Sequence, residues 1–283
     1  MSNTLQLKRR IKSAQNVSKT TRAMQMIAAS KLKRAQDAAL SSRPYSEKLS
    51  QLARTISRNA EESDLHPYMQ KRKGNKTLIV VISPDKGFCG GLNTNIARQM
   101  MHYKNDDLFL TIGKKAEHAV IYLQHKLVAS FPFGNTLPLF NIVHPIVKLI
   151  DEYYLSGKVD QVKILSTKFI SVFSQVAISN SLLPLELSEE EKNNIPQIKL
   201  FEPSAEAILP SLLKHYIETI IYQNFLENHV SEQAAKMIAM QNATDNAKDI
   251  VDDLTLEYNK ARQARITSEI LDISSSSSFA YAK

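Results

Sequence analysis

Three observations predict an α/β chain with long terminal helices. All seven glycines lie between Gly74 and Gly157. Beyond Pro210 run 73 residues with neither Pro nor Gly, rich in the helix formers Ala, Glu, Lys, Gln and Met. Between the two ends, short β-branched runs alternate with helical stretches, the pattern of a small α/β domain. The working part predicted from this layout is a paired-helix shaft made from the two ends, a mechanical or assembly element, and not a pocket.

The N-terminal segment carries Leu7, Ile11, Ala14, Ser18, Thr21, Gln25, Ala28, Leu32, Ala35 and Ala39 in alternating steps of three and four, the spacing of a coiled seam. Val17, Met24 and Ile27 widen the apolar face, which predicts contact with more than one surface. Pro44 lacks the backbone donor and crowds the preceding turn, so a kink or break is expected near Arg43, with a further helix from about residue 45 to 58.

Thr77–Ile82 reads as a buried strand, and residues 85–91 as a loop before a helix beginning around Asn93. Residues 108–112, 162–167 and 173–178 are further strand candidates, and 114–128 and 140–156 read as helical. Residues 186–204, with Glu186, Glu189, Glu190 and Glu191 and two prolines, read as an irregular return. At 1.5 Å per residue the last helix could reach about 100 Å, so it needs a partner or must project. Its expected seam is Met240, Ala243, Ala247, Ile250, Leu254, Glu257, Ala261, Ala264 and Ser268, and the serine run 274–278 reads as a frayed tail. Domain boundaries are set at 1–60, 75–204 and 205–283.

The 43% hydrophobic and 23% charged composition fits a globular class, neither mostly disordered nor membrane-spanning. No apolar run approaches the roughly 20 residues a bilayer requires, and the start has no charged segment followed by an apolar block, so a cytoplasmic chain is expected. Cys89 is the only cysteine, which excludes an intramolecular disulfide and a cysteine-based metal centre. A net charge of +8 points to an acidic partner. The charge is unevenly placed: residues 1–60 hold thirteen Lys or Arg against Asp37 and Glu47, whereas residues 211–283 hold seven basic and ten acidic side chains. The two ends could therefore attract each other.

No catalytic set emerges. Gly87, Gly90 and Gly91 do not form G-x-G-x-x-G, and no G-K-[ST] follows, so the loop reads as a tight connection presenting Lys86 and Cys89 on a surface. Cys89 has no histidine nearby in sequence. The seven histidines are scattered without metal-ligand spacing. Asp249, Asp252, Asp253 and Glu257 read as a solvated or partner-facing helix side. The basic N-terminal helix could neutralise phosphates, but it carries a small-residue stripe and no aromatic residue before Tyr45. Neither nucleic acid nor a cofactor is the expected partner.

Three blocks, in order, carry a resemblance that covers essentially the whole chain. Residues 9–36, with Asn16, Lys19, Ala23, Met24 and the run Ala28-Ala29-Ser30-Lys31, resemble the first-helix motif of the gamma subunit family of the F-type ATP synthase. Residues 83–93 resemble the loop after its first central strand, through Asp85, Lys86, Gly87, Cys89, Gly90 and Asn93. Residues 234–270 resemble its C-terminal helix, through Met240, Asn242-Ala243-Thr244, Asn246-Ala247, Asn259, Arg262-Gln263-Ala264, Ile266-Thr267 and Glu269.

The resemblance implies an antiparallel two-helix coiled coil plus a small Rossmann-like α/β domain. It implies a central rotor that couples proton-driven c-ring rotation to ATP synthesis or hydrolysis in surrounding beta subunits, with no active site or cofactor of its own. The implied partners are the alpha and beta subunits, epsilon and the c-ring, with a peripheral location on the cytoplasmic face of a bacterial membrane. By the same resemblance, Met24 lies near the collar of the ring, Lys86 and Cys89 approach an acidic beta-subunit lever, and Arg262, Gln263, Thr267 and Glu269 form a polar contact patch. Thr20 and the Ile273–Ser278 stretch depart from the family's pattern.

Overall fold

A computed structural model describes residues 2–59, 66–72, 74–185 and 204–280. The expected return segment 186–204 lies outside these residues except for Ser204. Two compact units are distinguished: residues 28–236, and residues 1–27 with 237–283. Helix α1, Ser2–Asn59, and helix α5, Ala205–Ala280, each contribute to both.

The larger unit is built on a five-stranded sheet of order β3-β2-β1-β4-β5. Strands β1 (Thr77–Ile82), β2 (Leu108–Ile112), β3 (Lys126–Phe131) and β4 (Gln161–Ser171) run parallel, and β5 (Ser174–Leu183) returns antiparallel to β4. Strand β1 lies at the centre, pairing Leu78 with Leu108 on one side and with Val162 on the other. All six of its residues are buried, which explains its uninterrupted apolar sequence.

Strand alternation sorts those side chains into two cores. Leu78, Val80 and Ile82 join helix α4 (Val143–Leu155), Leu49 and Ala53 of α1, and Leu213, Ile217, Ile221 and Phe225 of α5. Ile79 and Val81 join helix α2 (Leu92–Met100), helix α3 (Lys114–Tyr122) and Ala235 of α5. Within this unit α1 and α5 run antiparallel: Ser42 Oγ donates to Gln223 Oε1, and Ser50 Oγ lies 3.5 Å from the Tyr216 hydroxyl.

Three local expectations change. Residues 126–128 belong to an edge strand, not to a helix running to 128. Helix α3 stops at Tyr122 because Gln124 adopts a left-handed conformation, φ 58°, and the His125 N–H closes back onto the Val120 carbonyl. Pro44 does not end α1, which continues to Asn59. The donor that proline lacks would have bonded the Leu40 carbonyl; one residue earlier, the Ala39 carbonyl accepts from Ser42 Oγ and Gln223 Nε2, so side chains pin the helix just before the proline. At the other end, α5 continues as helix through the serine run 274–278 instead of fraying there.

In the smaller unit the two helices again run antiparallel. Thr21 and Thr244 face each other with their hydroxyls 2.7 Å apart, and Thr244 Oγ1 also donates to the Met240 carbonyl. The seam expected on α1 has every position there withdrawn from solvent, from Leu7 to Gln25. On α5 the seam is Met240, Thr244, Ala247, Val251, Leu254, Tyr258 and Ala261. Four of the nine expected positions are exposed: at Ile250 and Glu257 the next residue, Val251 and Tyr258, takes the seam position, whereas Ala264 and Ser268 lie in a stretch, residues 262–270, that is exposed throughout. The deciding feature is Thr244, polar by type yet only 3% exposed, because its hydroxyl is satisfied by its own helix and by Thr21.

Candidate functional site

The 83–91 loop leaves the C-terminal end of β1 in the larger unit. Its first residues are held by short bonds to neighbouring segments. The Ser83 N–H donates to the Ile112 carbonyl at 2.8 Å, and Ser83 Oγ accepts from the Ala116 N–H at 2.7 Å. The Pro84 carbonyl accepts from the Lys115 N–H. The Asp85 carboxylate accepts from three backbone N–H groups, those of Lys114, Phe133 and Gly134. Close approach is possible because residue 113 is glycine: a Cβ there would stand 1.9 Å from the Ser83 carbonyl oxygen.

Beyond this anchor the loop turns outward and then back. Lys86 is exposed, and Phe88, at φ 62°, is 71% exposed. Cys89 is 1% exposed, which corrects the expectation that it shares a surface with Lys86. It packs with Leu92, Ile96 and Ala235, and Asn93 Nδ2 donates to its sulfur. Phe88 therefore faces outward and the side chain after it inward. Burial, and then the Glu232 charge, push the Cys89 thiol up, against smaller opposing effects of Lys236 and Asn93. Such a thiol is a core residue and a poor nucleophile.

Next to Cys89 lies a buried polar stretch that the sequence reading did not single out. Asn228, His229, Ser231, Glu232 and Gln233 of α5 are all buried. Glu232 Oε1 accepts from Lys236 Nζ at 2.6 Å, and Glu232 Oε2 stands 3.7 Å from His229 Nδ1, too long for a hydrogen bond. Burial alone would raise the Glu232 carboxyl, but His229 and Lys236 outweigh it and hold the group below the usual carboxylate range. Every residue from 228 to 235 is buried, so α5 is covered all round there and shows no amphipathic signal.

The remaining predicted contact residues lie in the smaller unit. Met24 is half-buried beside the seam, with Met26 and Ile27 exposed next to it. Arg262, Gln263, Thr267 and Glu269 are all exposed on α5. Glu269 pairs with Arg265, Nε to Oε1 2.7 Å, and Thr267 Oγ1 donates to the Gln263 carbonyl. The Thr21–Thr244 register places Met24 opposite residue 241, some 20 residues and about 30 Å along the helix from Arg262. Met24 and the 262–269 patch are therefore two separate places. Among the described residues, no group of three or more His, Cys, Asp or Glu is placed to hold a metal ion, and no helix is long and apolar enough to cross a membrane.

An α/β unit bracketed by terminal helices that pair antiparallel, with its candidate contacts on helix faces and one loop, defines a shaft-type protein with a small α/β domain. Comparison with known proteins specifies which. The family described as ATP synthase matches residues 3–278. ATP synthase gamma chains from Dehalococcoides mccartyi and Methylacidiphilum infernorum are 40% and 38% identical. The alignments cover 96% and 97% of this chain and 97% and 98% of those relatives. The fold is also similar to a chain of the Euglena gracilis mitochondrial ATP synthase, at TM-score 0.73 and 16% identity over 99% of this chain and 95% of that one. A chain of the Tetrahymena thermophila mitochondrial ATP synthase central stalk and c-ring gives TM-score 0.59 and 24% identity over 79% of this chain and 99% of that one. The chain belongs to the ATP synthase gamma chain family, the non-catalytic rotor subunits of the F-type enzyme.

Proposed function

We propose that this chain turns inside a ring of alpha and beta subunits, carrying c-ring rotation to their nucleotide sites, and that epsilon and the c-ring engage its α/β unit. The observation that carries the reading is the end-to-end likeness to gamma chains, in a chain whose termini pair along a seam that mixes apolar, small and uncharged polar residues. A rotor must bias several ring states without being trapped in one, and few strong local anchors suit that need. The exposed faces fit this requirement: Lys86, Met24, Arg262, Gln263, Thr267 and Glu269 are the proposed contacts, spread over a loop and two helix positions. Cys89 serves this surface from behind, as packing. The division into residues 1–60, 75–204 and 205–283 follows as a proposal about working parts. Membrane association is peripheral, through the complex, at the cytoplasmic face.

A basic coiled coil that binds nucleic acid is the competing reading, motivated by the thirteen cations of residues 1–60. Copurification separates the two. A tagged full chain should retain alpha and beta subunits through a wash with excess duplex DNA. Loss of both to the DNA, with the chain shifting onto it, would contradict the rotor reading.

A further inference from the structure

We propose that the segment Ser83-Pro84-Asp85 is a cap supplied to α3 from outside that helix, and that Asp85 is the positioning residue that fixes the stance of Lys86. The second half rests on the proposed role of Lys86 as a partner contact.

A helix begins with N–H groups that have no partner within the helix. In α3 the first three belong to Lys114, Lys115 and Ala116, and the residue before them, Gly113, has no side chain to offer. All three are met by consecutive residues of the loop after β1: Lys114 N–H by Asp85 Oδ1 at 3.0 Å, Lys115 N–H by the Pro84 carbonyl at 3.3 Å, and Ala116 N–H by Ser83 Oγ at 2.7 Å. The arrangement does for α3 what an N-cap side chain ordinarily does, and it sets a carboxylate at the positive end of the helix.

Asp85 also reaches a third segment. Its Oδ1 accepts from Phe133 at 3.3 Å and its Oδ2 from Gly134 at 2.8 Å, both just beyond β3. One side chain thus joins the ends of β1 and β3 and the start of α3. Lys86 is the next residue and is exposed. A lysine carries several freely rotating bonds, so a fixed backbone is what gives its charge a defined place. On the far side the loop is held again where Asn93 Nδ2 and the Leu92 N–H bond Cys89. Lys86 and the outward Phe88 stand between these two anchors.

The test uses the full chain, alone and assembled with alpha and beta subunits. Variants are Asp85→Ala, the milder Asp85→Asn, Lys86→Ala, and Asp85→Ala with Lys86→Ala. In the free chain, Asp85→Ala should speed amide exchange at Lys114, Phe133 and Gly134 on the order of tenfold, with α4 unchanged and Asp85→Asn intermediate. In the assembly, Asp85→Ala should weaken the salt dependence of ATPase activity as Lys86→Ala does, and the double variant should add nothing further. Asp85→Asn keeps these readouts available if Asp85→Ala fails to fold. Unchanged exchange at the three amides would overturn the cap. Faster exchange with wild-type salt dependence, where Lys86→Ala abolishes it, would overturn the positioning role while leaving the Lys86 contact in place. No effect of Lys86→Ala itself would remove the contact, and the positioning role with it, while exchange still judges the cap.

Discussion

Replacing Gly113 by alanine tests whether the loop-to-helix junction is as tight as the geometry requires. Gly113 has φ +102°, and a Cβ would sit 1.9 Å from the Ser83 carbonyl oxygen and 2.8 Å from its carbon. A left-handed backbone costs a residue with a side chain about 1–2 kcal/mol. Relieving the overlap requires the Ser83–Asp85 segment to withdraw, loosening the bonds it accepts from Lys114, Lys115 and Ala116. At about 1 kcal/mol for each bond, the expected total is about 4–5 kcal/mol. Gly90 provides the control: its φ is +57°, and a Cβ there meets nothing within 4 Å. Gly90→Ala should therefore cost only the backbone penalty, about 1–2 kcal/mol. A gap of about 3 kcal/mol corresponds to about 6–12 °C in melting temperature for a unit of this size. Urea and thermal unfolding of both variants, followed by circular dichroism, would measure it. Equal destabilisation by the two substitutions would refute the reasoning.

The phase of the α5 seam is tested in the isolated chain. Leu254→Ala should destabilise the helix pair by about 2–4 kcal/mol, whereas Ile250→Ala should fall within about 0.5 kcal/mol of wild type. A comparable loss at residue 250 would restore the phase first expected from the sequence. For Cys89, the folded state holds the thiol proton more tightly than the unfolded chain does. Its stabilising contribution is therefore complete below the unfolded thiol pKa of about 8.5 and is lost as pH rises through the folded value. Between pH 7.5 and 10 the wild-type urea midpoint should fall more steeply than that of Cys89→Ala, and parallel slopes would contradict the burial argument. Glu232 has the opposite sign: its depressed carboxyl adds stability above the unfolded pKa of about 4.3 that is lost as pH falls through the folded value. Glu232→Gln should flatten the acid limb of an unfolding series from pH 6 to 3, and an unchanged limb would show that the pairing contributes nothing.

The N-terminal seam was fully legible because small, apolar and uncharged polar residues occupy a strict three-four repeat, although Val17 and Ile27, which hydrophobicity added to that face, are exposed. The α5 seam was legible at Met240, Ala243, Ala247, Leu254 and Ala261. Between these positions, hydrophobicity favoured Ile250 over Val251, and Thr244 beside Ala243 was passed over because no local signal shows that it will find a hydroxyl on the other helix. The edge strand β3 is hard to see in the sequence because the helix before it ends at Tyr122 and the left-handed residue that follows is Gln124, so no glycine or proline marks the stop. The glycine loop was placed correctly after β1, yet its glycines could not tell which side chain faces outward. Phe88 does, and Cys89 does not. Buried Asn228, His229 and Glu232 were hidden for a different reason. Tertiary packing encloses that part of α5 on all sides, and only the assembled sheet layers reveal it. The contact residues on Met24 and the 262–269 patch came from resemblance, since nothing in their spacing distinguishes them from any solvated helix face.

Single-molecule rotation tests the central claim most directly. The full chain would be assembled with alpha and beta subunits fixed to a surface, and a probe attached to this chain through a cysteine engineered at an exposed position of the α/β unit in a Cys89→Ala background. ATP should drive sustained rotation of the probe in one direction, stalling when ATP is withdrawn. ATP hydrolysis by the assembled ring while the probe only diffuses, with no directional bias, would contradict the account.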